Sequence, residues 1–206
     1  MVATKTLELD LAAQGFHNLR SWSRGVDAQN FKPERRKDLG FKGPIQLYVG
    51  RVAVEKNIEA FLQTDVAGTK VIVGDGPARE DLSKRFLDVK FLGVKTGDEL
   101  TDIYASADVF VFPSKTDTFG IVLLEALASG VPVAAYPVMG PIDVVGGNDD
   151  VGVLSDNLDD AIRGALTCDR KACRKFALQR SWTKTAQLFI DNIEVSRSKS
   201  LSSYAA

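Results

Sequence analysis

The stretch DVFVFPSKTDTFGIVLLEALASGVPVAA, residues 108–135, contains a strand, a helix and a second strand in succession. The β-branched and aromatic run Asp108–Phe112 predicts a strand that stops at Pro113-Ser114. The apolar run Gly120–Ser129 predicts a helix, and Val131–Ala135 predicts the next strand. Both strands are almost continuously apolar, which is typical of parallel strands covered on both faces. The stretch therefore predicts a βαβ unit.

The same alternation of short strands and helices extends towards the N-terminus. Strands that alternate with helices favour a parallel sheet with helices on both faces, so we predict an α/β fold with a doubly wound parallel sheet. The further strands are predicted at Gln46–Gly50, Lys70–Val73 and Val89–Leu92, and the further helices at Glu55–Gln63, Arg79–Phe86 and Asp98–Ala105.

The two flanks of this sheet differ in character. After Pro141 strands become rare, and C-terminal helices are predicted at Asn157–Thr167, Arg170–Gln179 and Trp182–Ile193. Residues 1–44 include a basic, Pro-containing stretch and are interpreted as a segment that leads into one domain, residues 45–196. The small and polar residues 197–206 are expected to form a disordered tail.

Length and charge exclude several classes of protein. A chain of 206 residues suits one full domain with additional segments. Its 26 Lys and Arg nearly balance its 27 Asp and Glu, so the net charge of −1 gives no indication of a nucleic-acid partner. No signal peptide and no membrane span are visible. Cys168 and Cys173 have the spacing of neither a metal site nor a redox pair, and we expect reduced thiols in a cytoplasmic protein.

Cations follow the first predicted strand. Gly50 and Arg51 come directly after it, and Lys56 lies at the start of the next helix. Ligands of open α/β sheets bind outside the carboxyl ends of the strands, and a helix N-terminus with cations beside it favours phosphate groups. The alternative interpretation is that Arg51 and Lys56 are solvated surface charges.

Two carboxylates flank the start of the helix after strand Asp108–Phe112. Asp117 precedes that helix, and Glu125 lies inside it among apolar residues, where an ionised group needs a specific partner. Sugar or ribose hydroxyls would be suitable partners, and Gly120 permits a close approach of the ligand. The alternatives are a structural ion pair for Glu125 and an interaction of Asp117 with the helix dipole.

Other polar motifs give weaker signals. Residues 74–77, GDGP, predict a turn at the rim of the site, and residues 146–150, GGNDD, predict a surface loop, although a metal role is conceivable. The lone histidine, His17, cannot complete a catalytic triad or a zinc site. We therefore predict no metal and no cofactor.

Taken in order, these motifs resemble a known family. GRVAVEKN (50–57), GDGP (74–77), FLG (91–93), ADVFVFPS (107–114) and DTFGIVLLEALASGVPVAA (117–135) are similar to the C-terminal, donor-binding domain of retaining GT-B glycosyltransferases of the GT4 type, the glycosyltransferase group 1 family. The similarity runs from about Arg24 to Trp182. It implies a Rossmann-like lobe that holds a nucleotide-diphosphate sugar as donor and transfers the sugar to a carbohydrate or lipid acceptor with retention and without a metal.

The resemblance also implies roles for residues. Arg51 and Lys56 would neutralise the donor diphosphate, Asp117 would contact the hexose and Glu125 the ribose. The main chain of Phe119, Gly120 and Ile121 would face the sugar and phosphate, and Val94 and Lys95 would lie beside the base. In sequence order the predicted site residues are Gly50, Arg51, Lys56, Val94, Lys95, Asp117, Phe119, Gly120, Ile121 and Glu125.

Two departures from the family limit what the resemblance implies. The first acid of the family is usually Glu, whereas this chain has Asp117, which is one methylene shorter. The family also needs an N-terminal lobe, and residues 1–30 resemble the interdomain segment instead, so that such a lobe is an expected partner. A non-catalytic nucleotide-binding module and a GT-B epimerase of nucleotide sugars are the rival interpretations, and peripheral membrane attachment stays open.

Overall fold

The computed structural model describes residues 1–117 and 119–203, and within them six parallel strands form a sheet in the order β3-β2-β1-β4-β5-β6. This order confirms the predicted doubly wound, Rossmann-like α/β fold. The strands are β1 (Ile45–Val49), β2 (Thr69–Val73), β3 (Lys90–Gly93), β4 (Val109–Phe112), β5 (Val133–Ala135) and β6 (Gly152–Leu154).

Helices connect the strands and continue beyond them. In the described residues they are α1 (Lys5–Ala13), α2 (Ile58–Leu62), α3 (Arg79–Arg85), α4 (Gly97–Ser106), α5 (Ile121–Ala128), α6 (Pro141–Val144), α7 (Leu158–Ala165), α8 (Arg170–Leu178) and α9 (Trp182–Ser203). Short 3-10 turns occur at Pro33–Arg35 and Val54–Lys56.

Successive strand residues pack on opposite faces of the sheet, because side chains alternate along a strand. On one face Leu47 and Phe110 pack with helices α4, α5, α6 and α8, and on the other face Tyr48 and Val111 pack with α2, α3 and α7. The central strand β4 is buried at every position. Helices on both faces explain why the strands are apolar throughout.

Most of the predicted elements lie within two residues of the observed ones, but the predicted helix Glu55–Gln63 begins three residues too early, since α2 is observed at Ile58–Leu62. The chain makes a 3-10 turn over Val54–Lys56, and Asn57 then adopts a left-handed conformation with φ of 52° before α2 begins. The Asn57 amide Nδ2 donates to the Pro113 carbonyl 3.0 Å away. This contact joins the segment after β1 to the segment after β4.

The C-terminal part also departs from prediction. Helix α6 begins at Pro141 and strand β6 follows it, in a stretch for which the sequence predicted neither element, because elements of three and four residues are too short to show periodicity. Helix α9 continues past Ile193 to Ser203, so the predicted tail 197–206 begins inside a helix. Residues 204–206 of that tail lie outside the described residues.

The second half of the segment 1–44 packs against the domain. Val26 is buried and pairs with Ser181 in an isolated bridge, and Arg35 makes an ion pair with Asp102 of α4 at 2.7 Å. Helix α1, which the sequence analysis did not predict, has no buried residue. Throughout residues 1–117 and 119–203, no helix is long and apolar enough to cross a bilayer.

Candidate functional site

The order of the strands determines where a ligand can bind. Strands β1 and β4 are neighbours, and the chain leaves them towards opposite edges of the sheet. In open α/β sheets the crevice at such a switch point, outside the carboxyl ends of the two strands, is the usual binding place. Gly50 and Arg51 follow β1, and Pro113 to Asp117 follow β4. The structure therefore brings both predicted motifs to one crevice.

The turn after β1 is held by main-chain hydrogen bonds to its neighbours. Gly50 N donates to the Val73 carbonyl at 3.0 Å, and Val52 N donates to the Asp75 carbonyl at 2.9 Å. Gly74 has φ of +130°, and a Cβ on it would lie 1.9 Å from the Gly50 carbonyl oxygen. The GDGP motif, which the sequence predicts to be a turn at the rim of the site, therefore lies directly against the turn bearing Arg51.

The hydroxyl of Tyr48 holds the turn after β1 in place. Tyr48 is buried, and its hydroxyl donates to the Arg51 carbonyl at 2.8 Å. Burial, together with the negative charges of Asp117 and Glu55, raises the pKa of Tyr48, so this hydroxyl stays protonated and a donor. The Arg51 side chain itself is 65% exposed and reaches Glu55 only at 3.9 Å. Its guanidinium is available to an anion.

Lys56 and Asp117 make the central contact of the crevice. Lys56 Nζ donates to Asp117 Oδ1 at 2.7 Å, and both side chains are about three-quarters buried. Asp117 Oδ2 is buried and has no hydrogen-bond partner within the described part of the chain. Leaving a buried acceptor unsatisfied costs about 1–3 kcal/mol, which a ligand hydroxyl would recover.

Glu125 is held by a tyrosine. Its Oε2 accepts a hydrogen bond from the Tyr104 hydroxyl at 2.8 Å. Burial raises the pKa of Glu125, and the bond from Tyr104 opposes that rise. The ion pairs found among the described residues do not include Glu125, so the structure does not support the alternative of a structural ion pair.

The start of α5 faces the crevice between the two acids. Gly120 has φ of +77°, and a Cβ there would lie 3.1 Å from the Phe112 ring, so glycine suits this position. Phe119 packs against the core, and Ile121 is partly exposed. The Leu123 amide donates to the Gly120 carbonyl at 3.0 Å, whereas the amides before it at the helix start have no acceptor within the helix and can donate to a ligand. Thr118 lies outside the described residues.

Val94 and Lys95 lie at the same edge of the sheet but farther from the switch point. They follow β3, which is separated from β1 by β2. Val94 is exposed, and Lys95 Nζ makes an ion pair with Glu99 at 3.3 Å. The described hydrogen bonds do not connect either residue to Lys56 or Asp117.

Sequence reasoning missed three residues that shape the site. Tyr48 and Tyr104 carry buried hydroxyls that bind Arg51 and Glu125, and Asn57 bridges to the loop after β4. The available signal was a tyrosine within an apolar run, since a buried phenol needs a hydrogen-bond partner. Among the described residues no group of three or more His, Cys, Asp and Glu could hold a metal ion.

Comparison with known proteins identifies the family. The profile of the family "Glycosyl transferases group 1" matches residues 43–167, which is more than half of the chain and includes the whole crevice. The chain belongs to this family. The family resemblance inferred from the sequence is therefore confirmed.

Curated relatives include enzymes with different named donors. The GDP-mannose-dependent alpha-mannosyltransferase of Mycobacterium tuberculosis is 35% identical over 214 residues, covering 96% of this chain and 56% of that protein. The sulfoquinovosyl transferase of Arabidopsis thaliana is 37% identical over 161 residues, covering 70% of this chain and 32% of that protein. The chain thus spans about half the length of these relatives, or less.

A solved structure shows the same fold. The Anabaena protein HepE in complex with UDP superposes with a TM-score of 0.75 at 19% identity, covering 94% of this chain and 63% of that one. The fold of this chain thus matches that of about two-thirds of the HepE chain.

Proposed function

We propose that this chain is the donor-binding half of a glycosyltransferase that transfers a sugar from a nucleotide-diphosphate donor to a carbohydrate or lipid acceptor. The observation that carries the proposal is the 2.7 Å contact between Lys56 and Asp117 at the switch point. An ammonium group, which can bind phosphate, and a carboxylate, which can accept from hydroxyls, lie side by side there, next to the start of α5. A sugar diphosphate carries phosphate and hydroxyl groups in direct succession.

Arg51 and Lys56 are assigned to the diphosphate. In the transition state of transfer, negative charge develops on the leaving nucleotide, and fixed cations and main-chain amides stabilise it. The amides of Phe119, Gly120 and Ile121 add to this stabilisation. Fixed protein charges of this kind would let the reaction proceed without a metal, and we propose retention of configuration on the family resemblance.

The two acids are assigned to hydroxyls. Glu125 would accept hydrogen bonds from the ribose, and Asp117, with its unpartnered Oδ2, would accept them from the donor hexose. Val94 and Lys95 would lie beside the base. Because relatives are named for GDP-mannose and sulfoquinovose transfer, we propose a hexose donor.

An N-terminal lobe is the proposed partner, and the acceptor would bind between the two lobes. Relatives are about twice as long as this chain, and α9 exposes apolar side chains that a second lobe would cover. We propose a cytoplasmic location, with peripheral membrane attachment where the acceptor is a lipid. The exposed apolar residues of α9 mentioned above are Trp182, Leu188, Phe189, Ile190, Ile193 and Val195.

Calorimetry on the chain tests the site. Titrations with UDP, GDP, ADP and GDP-mannose identify the base, and Arg51→Ala and Glu125→Ala are each expected to weaken the best ligand about tenfold or more, because each removes a charge-assisted hydrogen bond. Lys84→Ala on α3, which removes a cation of similar exposure, is the control and should leave binding unchanged. If neither site variant weakens binding, the proposed site is wrong.

A further inference from the structure

Tyr104 is a buried polar group that the roles proposed above do not use. Its side chain is 0% exposed, although it comes from α4 and not from the loops of the crevice. The ring stacks on Phe110 at 5.7 Å between centroids and meets the edge of Phe31 at 5.4 Å. This packing fixes the position of the ring and the direction in which its hydroxyl points.

The hydroxyl of Tyr104 points towards the carboxylate of Glu125. The Tyr104 hydroxyl donates to Oε2 at 2.8 Å, across the contact between α4 and α5. Burial strongly raises the pKa of Tyr104, so the phenol remains a donor at all ordinary pH values. A donor that cannot ionise and cannot turn away restricts the rotamer of the carboxylate.

The carboxylate keeps capacity for a ligand. An ionised carboxylate has about four acceptor positions, and Tyr104 uses one of them. Oε1 and the second lone pair of Oε2 remain available for two vicinal hydroxyls. The bond from Tyr104 also favours the ionised form, which is the form that accepts from both hydroxyls.

We propose that Tyr104 is the positioning residue for Glu125: its hydroxyl holds the carboxylate in the orientation that receives the two ribose hydroxyls of the donor nucleotide. This inference rests on the proposed function, in which Glu125 contacts the ribose. Tyr104 acts through Glu125 and does not touch the ligand.

The test compares ligands with and without ribose hydroxyls. Calorimetry measures the binding of UDP, GDP and ADP and of their 2′,3′-dideoxy forms to the wild-type chain and to Tyr104→Phe, which keeps the ring and removes the hydroxyl. The wild-type chain should prefer the best ribonucleotide about tenfold or more. In Y104F this preference should fall about fivefold or more, while the affinity for the dideoxy form changes less than twofold.

Tyr48→Phe is the matched control, because it also removes one buried tyrosine hydroxyl with a 2.8 Å hydrogen bond at the same crevice, but to the Arg51 carbonyl. We expect it to weaken the ribonucleotide and the dideoxynucleotide equally. Equal losses for both ligands in Y104F would overturn the inference, since they would show a general structural effect.

A measurement without ligand separates this inference from the proposed function. Carbon-13 NMR of labelled glutamate gives the pKa of Glu125, which should rise in Y104F because the bond to the ionised form is lost. The titratable group that faces Glu125 in the described residues is Tyr104, with Tyr48 beyond it. An unchanged pKa would overturn the positioning role. Absence of a ribose preference in the wild-type chain would instead contradict the proposed role of Glu125.

Discussion

Asp117 and Glu125 are carboxylates at one crevice, but their surroundings differ. Asp117 is neutralised by Lys56 at 2.7 Å, whereas Glu125 has a neutral phenol as its partner. A half-buried carboxylate without a cation pays the cost of desolvation, and its pKa rises accordingly. A ligand with two hydroxyls would replace the hydrogen bonds to water that Glu125 loses on burial. The desolvation of Glu125 therefore agrees with a role in binding.

The raised pKa of Glu125 predicts a pH dependence of stability. The unfolded chain releases the proton near the ordinary value of 4.5, while the folded chain keeps it to a higher pH. Stability from this group is therefore present below the ordinary value and is lost as the pH rises through the raised pKa. Glu125→Gln cannot ionise, so its free energy of unfolding should increase relative to that of the wild-type chain between about pH 4 and pH 7.

Urea unfolding at both pH values measures this difference. A constant difference between E125Q and the wild-type chain would show that burial does not shift Glu125.

At the scale of elements, turns at the strand ends determine the geometry of the crevice. Gly74 follows β2 and lies against the main chain of Gly50, where a Cβ would be 1.9 Å from the carbonyl oxygen. We expect Gly74→Ala to destabilise the chain by about 3 kcal/mol or more, because strain at positive φ adds to a collision with the main chain. It should also weaken nucleotide binding, because the turn with Arg51 is displaced.

Gly147→Ala separates the two contributions. Gly147 has φ of +79°, but a Cβ there would have nothing within 4 Å. Its substitution should therefore cost only the conformational part, about 1–2 kcal/mol, with no change in binding. Urea unfolding and calorimetry check both variants, and equal losses of stability would contradict the close approach at Gly74.

The elements show what a sequence can predict and what it cannot. Strands such as β4 and helices such as α5 were predictable because local patterns of apolar residues determine them. The break at Asn57 was not, since its left-handed conformation is supported by a hydrogen bond to Pro113, 56 residues away. Strand β6 was missed because three residues form a strand only beside an existing β5.

The sequence likewise predicts some features of the candidate site and not others. Arg51, Lys56 and Asp117 were predictable together because the carboxyl ends of parallel strands meet at one edge of the sheet. The direct contact of Lys56 with Asp117, and that of Tyr104 with Glu125, depend on how loops and helices pack. No pattern within a single element contains that information.

The whole molecule has a covered sheet and an uncovered flank. Trp22 contacts Phe189 of α9 with 5.0 Å between ring centroids, and Asn192 donates to the Ser21 carbonyl at 2.9 Å. The segment before the domain and the last helix thus pack on each other. Around this contact apolar side chains remain exposed on both α1 and α9, including Leu9 at 60%. Under the proposed function, the N-terminal lobe would cover these apolar side chains.

Charged substitutions on α9 test whether this face is free. Ile190 and Ile193 are 48% and 40% exposed, and we expect Ile190→Lys with Ile193→Lys to lower the binding of a hydrophobic dye while changing the free energy of unfolding by less than about 1 kcal/mol. Leu87→Lys, which changes an exposed apolar residue just after α3, is the control and should leave dye binding unchanged. A large loss of stability would show that the isoleucines serve the core of this chain.

The ion pair at the switch point has a consequence for selectivity. Lys56 and Asp117 cancel much of each other's charge, so a simple anion such as inorganic phosphate meets a largely neutralised lysine, of which the ion pair occupies one of three N–H donors. A plain sugar can use only the other side of the pair, the Asp117 Oδ2 that has no partner among the described residues. A molecule that carries an anion and hydroxyl donors a few ångströms apart can contact both residues at once. Under the proposed function, the pair therefore favours a whole sugar diphosphate over either of its halves.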